Sequence, residues 1–154
     1  MRNHNNSKNY FYLAIMAVVS FACMYVLMYA MVDRFANVYP NLNQFYMAGL
    51  MAVPMVVIEV LLMRDMYGNK KWNAAIIASG IVAMVAFWIL IRQQSLVGDE
   101  QFLRSMIPHH AGAILMCEEA AIKDAEIKGL CENIKTSQQK EISQMKDILK
   151  KFKN

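Results

Sequence analysis

Three apolar runs decide what this chain can fold into. They cover residues 10–32, 44–63 and 74–91, and each is about the length at which a helix crosses a ~30 Å hydrocarbon core. The composition follows from them. The chain is 57% hydrophobic and 18% charged, where a soluble domain averages about 45–50% and about 25%. The excess lies in the first 92 residues. This excludes a single soluble globule, a disordered chain and a disulfide-dense mini-protein. A net charge of +4, from 16 Lys and Arg against 12 Asp and Glu, is too small and too scattered for a nucleic-acid surface. The first run exceeds the usual ~7–15 apolar residues of a signal peptide and has no clear small-x-small site after it. It reads as a retained helix.

Lys and Arg near the ends of the runs set the expected orientation. Arg2 and Lys8 precede the first run, and Arg64, Lys70 and Lys71 lie between the second and third. Arg34 and Arg92 are the cations on the other side. The excess places the N-terminus in the cytoplasm of a multi-pass plasma-membrane protein. Three crossings then leave residues 93–154 extracytoplasmic.

From Gln93 on the character changes. The charges are dense and nearly balanced, and apolar positions such as Phe102, Leu103, Met106, Ile107, Ile114 and Leu115 recur at helical spacing. Asp99 is the expected N-cap, with Glu100 in the first turn. Pro108 is expected to kink the helix or loosen a turn. A break near 123–125 should lead into a second helix from about Glu126 to Phe152. The expectation is all-α: a membrane domain over 1–92 and a helical hairpin over 93–154. Two helices make a poor core alone. A second copy, completing a four-helix bundle, or the membrane helices should cover them, with the homo-oligomer preferred.

The chain has 14 Met, 3 His and 3 Cys, and several of them gather in the hairpin. At about 100° per residue, Met106, His110 and Cys117 share one helix face, and His109 and Met116 form a neighbouring line. Thioether, thiol and imidazole together suit a soft ion such as Cu(I), whereas Mg²⁺ or Ca²⁺ would call for carboxylates. Folding the hairpin about Asp124 brings Cys117 opposite Cys131 and places Gln138 and Glu141 near the histidines, where they would orient the imidazoles. The Cys117–Cys131 pair reads as a disulfide, a thiolate metal site or two buried thiols. Two adjacent His at a helix surface and Met at core spacing also have a plain packing explanation.

The segment Phe102-Leu103-x-x-Met106-Ile107-Pro108-His109-His110-x-x-Ala113-Ile114-x-Met116, with Gln139-x-Glu141-Ile142-x-x-Met145, resembles the bacterial domain of unknown function 305. That family includes CopM-type extracytoplasmic copper-binding proteins with a ferritin-like helical fold. The resemblance spans about residues 98–151 and implies Met106, His109, His110, Met116 and Met145 as copper ligands. Here there is one hairpin where longer relatives have more helix, and Cys117 and Cys131 lie outside the family motif.

Within the second run Met47, Met51, Met55, Glu59 and Met63 recur every fourth residue. An intramembrane Glu is a functional candidate, and Met51, Met55 and Glu59 form a candidate site for a soft cation. The plainer alternative is Met as lipid-facing filler and Glu59 paired with Arg64. Small Ala48, Gly49, Ala52 and Gly80 suit helix packing.

The sequence therefore predicts a membrane-anchored binding protein whose outward hairpin captures Cu(I) through Met and His, for copper storage, delivery or tolerance. The competing expectation is a structural bundle for dimerisation or partner docking. An enzyme is not expected: Glu-x-x-His is absent, and no nucleophile–base pair is recognisable.

Overall fold

The computed structural model describes the backbone of residues 2–152 and the side chains of residues 7–152, so the Arg2 side chain lies outside it. Five helices form and, among the described residues, no strand: α1 (Arg2–Leu27), α2 (Leu42–Leu62), α3 (Lys70–Arg92), α4 (Asp99–Glu119) and α5 (Ala125–Lys151). Short 3₁₀ turns at Met28–Met31 and Phe35–Asn37 lie between α1 and α2. The chain divides into two compact units. One comprises residues 2–27 and 43–95, the other Met28–Leu42 and residues 96–152.

In the first unit three helices are long and apolar enough to cross a membrane, at Ser7–Met31, Leu42–Leu62 and Lys70–Arg92. Small residues set how closely they pack. Ala48 and Ala52 of α2 are buried, and a Cβ on Gly49 would run into the Phe87 ring of α3. Reciprocally, a Cβ on Gly80 of α3 would run into Val57 of α2. These are the contacts by which helices associate where water supplies no hydrophobic drive. Polar ties close the two ends. The Tyr10 hydroxyl donates to Asn73 Oδ1 at 2.6 Å and Asn9 Nδ2 to the Met66 carbonyl at 2.8 Å. At the other end the Tyr46 hydroxyl donates to the Ser95 carbonyl at 2.9 Å. Asn69 caps α3 by accepting from the amides of Lys71 and Trp72.

The second unit is the hairpin with an unexpected third layer. Leu103, Ile107, Ala111 and Ile114 of α4, spaced at 4, 4 and 3, face Ile142, Met145 and Leu149 of α5. Val32 and Tyr39, from the connection between α1 and α2, pack on the same cluster. The connection also bonds to α4: Gln101 Oε1 accepts from the Leu42 amide at 3.1 Å, and the Ser105 hydroxyl donates to Asn41 Oδ1 at 3.2 Å. Gly112 lets the Met31 carbonyl approach, since a Cβ there would stand 3.3 Å from it. Buried Asn37 and Asn41 are held by Asp33 Oδ1 and the Tyr39 carbonyl. Residues 28–42 thus cover part of the hairpin and belong with residues 96–152 to one compact unit.

One local expectation changes. Asp99 is the first helical residue of α4, and the cap is Gly98 with no side-chain bond. The acidic pair Asp99 and Glu100 therefore acts on the helix dipole within the first turn. Pro108 sits buried inside α4. The true side-chain cap is Asp124 at α5, which accepts from the amides of Glu126 and Ile127 at 2.9 and 3.0 Å.

Candidate functional site in the helical hairpin

His110 is 7% exposed, on the face of α4 turned to α5. Its Nδ1 lies 2.9 Å from the Met106 carbonyl one turn earlier. A carbonyl only accepts, so Nδ1 carries a proton. Its Nε2 lies 2.7 Å from Glu141 Oε2 on α5. Both nitrogens are engaged, and neither has a lone pair free for a metal while these bonds stand. Glu141 does face an imidazole, as its place in the hairpin suggested. Here it pins one helix to the other.

The other four Met and His positions differ in burial, and the His109 and His110 rings lie 6.1 Å apart, centroid to centroid. Met145 belongs to the buried core of the hairpin and Met106 packs against it. His109 is exposed, and Met116 is 59% exposed. These last two are seven residues apart on α4, about 10 Å along the axis at 1.5 Å per residue. Gln138 Oε1 is buried with no hydrogen-bond partner. Among the described residues, no group of three or more His, Cys, Asp or Glu is arranged to hold an ion.

The cysteines do converge. Cys117 of α4 and Cys131 of α5 are both free thiols, the first half-buried and the second buried. The neighbouring Cys131 is the main reason the Cys117 thiol is pushed up to about 11, burial adds to the rise, and Lys135 opposes it. The thiols open on a cavity of about 560 Å³ also lined by Glu118, Lys128, Glu132 and Lys135. Lys135 pairs with Glu132 at 2.7 Å. The charged lining was missed in the sequence, although Lys128, Glu132 and Lys135 stand at −3, +1 and +4 from Cys131. These are positions that a helix brings around one residue.

The intramembrane candidates are not assembled. Met51 and Met55 are exposed on α2, at 46% and 40%. Glu59 accepts from the Tyr67 hydroxyl at 3.4 Å, so its partner is a buried tyrosine rather than Arg64. Burial, and then the charge of Glu59, raise the Tyr67 phenol.

Comparison with known proteins adds kinship. Residues 90–149 match the domain of unknown function DUF305. Over 140 residues the chain is 35% identical to the "Uncharacterized protein L153" of Acanthamoeba polyphaga mimivirus, covering 89% of this chain and 90% of that protein. No solved structure matches.

Proposed function

We propose that this chain, which belongs to one family with the mimivirus protein and carries a DUF305 domain over residues 90–149, is a membrane-anchored binding protein for a soft metal ion. The ion is Cu(I), and its ligands are the sulfurs of Cys117 and Cys131. The observation that carries this reading is the thiol pair facing across the hairpin beside an open cavity. Two thiolates with no carboxylate or imidazole aimed between them favour a soft, low-coordinate ion. The role that follows for a bound Cu(I) is copper storage, delivery or tolerance.

The three apolar helices are the anchor. The packing of residues 28–42 with the hairpin in one compact unit supports their lying on one side of the bilayer. The Lys and Arg excess at the opposite connection supports that side being extracytoplasmic. A second copy would cover the exposed Phe102, His109 and Met116, which recur every seven residues on α4, and give the four-helix bundle of a ferritin-like assembly.

A structural reading applies to the rest of the motif. The engaged ring of His110 and the buried side chain of Met145 favour a role in holding the hairpin together.

The test is a Cu(I) titration of the full chain in nanodiscs under reducing conditions, against a chromophoric chelator. Saturable binding that Cys117→Ser/Cys131→Ser abolishes and His109→Ala keeps is the expected result. Binding unchanged in the cysteine double variant overturns the ligand assignment.

A further inference from the structure

A dithiol that takes up a metal can also lose its protons and electrons to an oxidant, and three observations bear on whether this one does so reversibly. Both cysteines line one cavity on the hairpin. They stand seven residues before and seven after Asp124 in the turn, so a disulfide between them would join two helices that already pack together, without refolding. The cavity of about 560 Å³ beside them admits a small molecule from solvent. Half-buried Cys117 is the sulfur such a molecule meets first, with buried Cys131 behind it. The pair also stands outside the buried cluster of Leu103, Ile107, Ala111, Ile114, Ile142, Met145 and Leu149. Making or breaking a bond there leaves the core that holds the hairpin untouched.

We infer that Cys117 and Cys131 form a reversible redox lock on the metal site, closed by thiol–disulfide exchange with a low-molecular-weight disulfide. The consequence for metal rests on the Cu(I) reading above, whereas the disulfide chemistry does not. Cys117, having given its proton to solvent, attacks one sulfur of the oxidant R–S–S–R. A mixed disulfide forms, and R–S⁻ leaves. The Cys131 thiolate then attacks the Cys117 sulfur, and a second R–S⁻ leaves. The two protons lost by the cysteines end on the two R–S⁻ groups. The protein is oxidised by two electrons and the small disulfide is reduced to two thiols. In the closed state neither sulfur has a thiolate to offer, so the site cannot hold a soft ion. A reductant reopens it.

The test uses the full chain in nanodiscs as the Cys23→Ser variant, which removes the remaining cysteine. It is equilibrated across oxidised-to-reduced glutathione ratios, quenched in acid, and alkylated with a maleimide after denaturation. Intact mass counts the free thiols, and peptide mapping locates any bond between 117 and 131. A cooperative fall from two free thiols to none, with a peptide crosslink from Cys117 to Cys131 reversed by dithiothreitol, is the expected result. Cu(I) uptake lost in the oxidised sample and restored on reduction completes it. Two thiols that stay alkylatable at every ratio, or a disulfide only between two chains, overturn the lock whether or not copper binds. A reversible internal disulfide in a protein whose reduced form takes no Cu(I) supports the exchange chemistry and overturns the metal reading alone. Cu(I) uptake equal in the oxidised and reduced samples overturns the locking role.

Discussion

The two units bury apolar surface in different ways. In the unit of the three apolar helices many large side chains point outward: Val82 is 69% exposed, Val18 69% and Leu62 78%. Much of what is buried there is small, as at Ala48, or polar-tipped, as at Tyr46, and the aliphatic core is limited to Val57 and a short cluster of Leu13 and Val60 around Tyr67. In the hairpin unit Ile107 and Ile142 are almost wholly enclosed, at 0% and 1%. The first pattern suits a lipid solvent, in which outward Val and Leu cost nothing and close backbone approach gives cohesion. The second is what water requires. The hairpin could not reach it with two helices, and it borrows Val32 and Tyr39 from the chain between the first two spans. That borrowed strip links the two halves of the protein in sequence, although each has its own packing rule.

The sharpest way to break the comparison is to truncate one side chain of each kind. Ile107→Ala should destabilise the hairpin by about 2–5 kcal/mol, the range for emptying a tightly packed aliphatic site. Val82→Ala, whose side chain has little of the protein around it, should change stability by about 0.5 kcal/mol or less. Chemical denaturation of the full chain in detergent, followed by hairpin hydrogen exchange, measures both. Equal losses would mean that the membrane helices have protein neighbours where the comparison places lipid.

The borrowed strip is tested next. Gly112→Leu drives a side chain into the Met31 carbonyl and should cost about 1–3 kcal/mol, as other overpacked sites do. Protease cleavage within residues 28–42 should rise with it, while the membrane unit keeps its melting behaviour.

The hydrogen-bonded pair across the hairpin follows. His110→Ala strips Glu141 and the Met106 carbonyl of a shared partner. The expected loss is about 1–3 kcal/mol, reduced because Glu141 is 54% exposed and water can replace its bond. Cu(I) binding should survive. Its disappearance in a variant that circular dichroism shows to be folded would return the histidine to the site.

The smallest effect is a pH dependence. With Cys117 pushed up to about 11 from its ordinary 9.0, alkylation of the metal-free protein at that thiol should be slow near pH 8 and climb as pH passes through about 11. The sign for stability follows. The stabilisation of the protonated thiol is fully present below about pH 9 and is lost as pH rises through about 11. Rates matching a free thiol across this range would show that the two sulfurs do not meet.

How much of this was legible in the sequence depended on the range of the cause. The spans were legible because hydropathy is a local property, and α2 begins at Leu42 and ends at Leu62 against an expected 44–63. The meeting of Cys117 and Cys131 followed from counting outward from Asp124, because two straight helices keep register over two turns. Further out the register drifts by three residues, and His110 meets Glu141 rather than Gln138. The contribution of residues 28–42 was hidden, since Val32, Tyr39 and Asn41 contact a helix some seventy residues away with no periodicity of their own. The ligand set implied by the resemblance was hidden in another way. Spacing places His110 and Met106 on one face, but it does not tell a ring free to ligate from one bonded at both nitrogens.

The central claim is that copper sits between two cysteine sulfurs while His110 remains a strut. X-ray absorption at the copper edge, on the full chain loaded with one Cu(I) under reducing conditions, tests it most directly. The account predicts a coordination shell of two sulfurs with no imidazole scattering, lost in Cys117→Ser/Cys131→Ser and unchanged in His109→Ala. Imidazole nitrogen in the shell, or the same shell in the cysteine double variant, would contradict it.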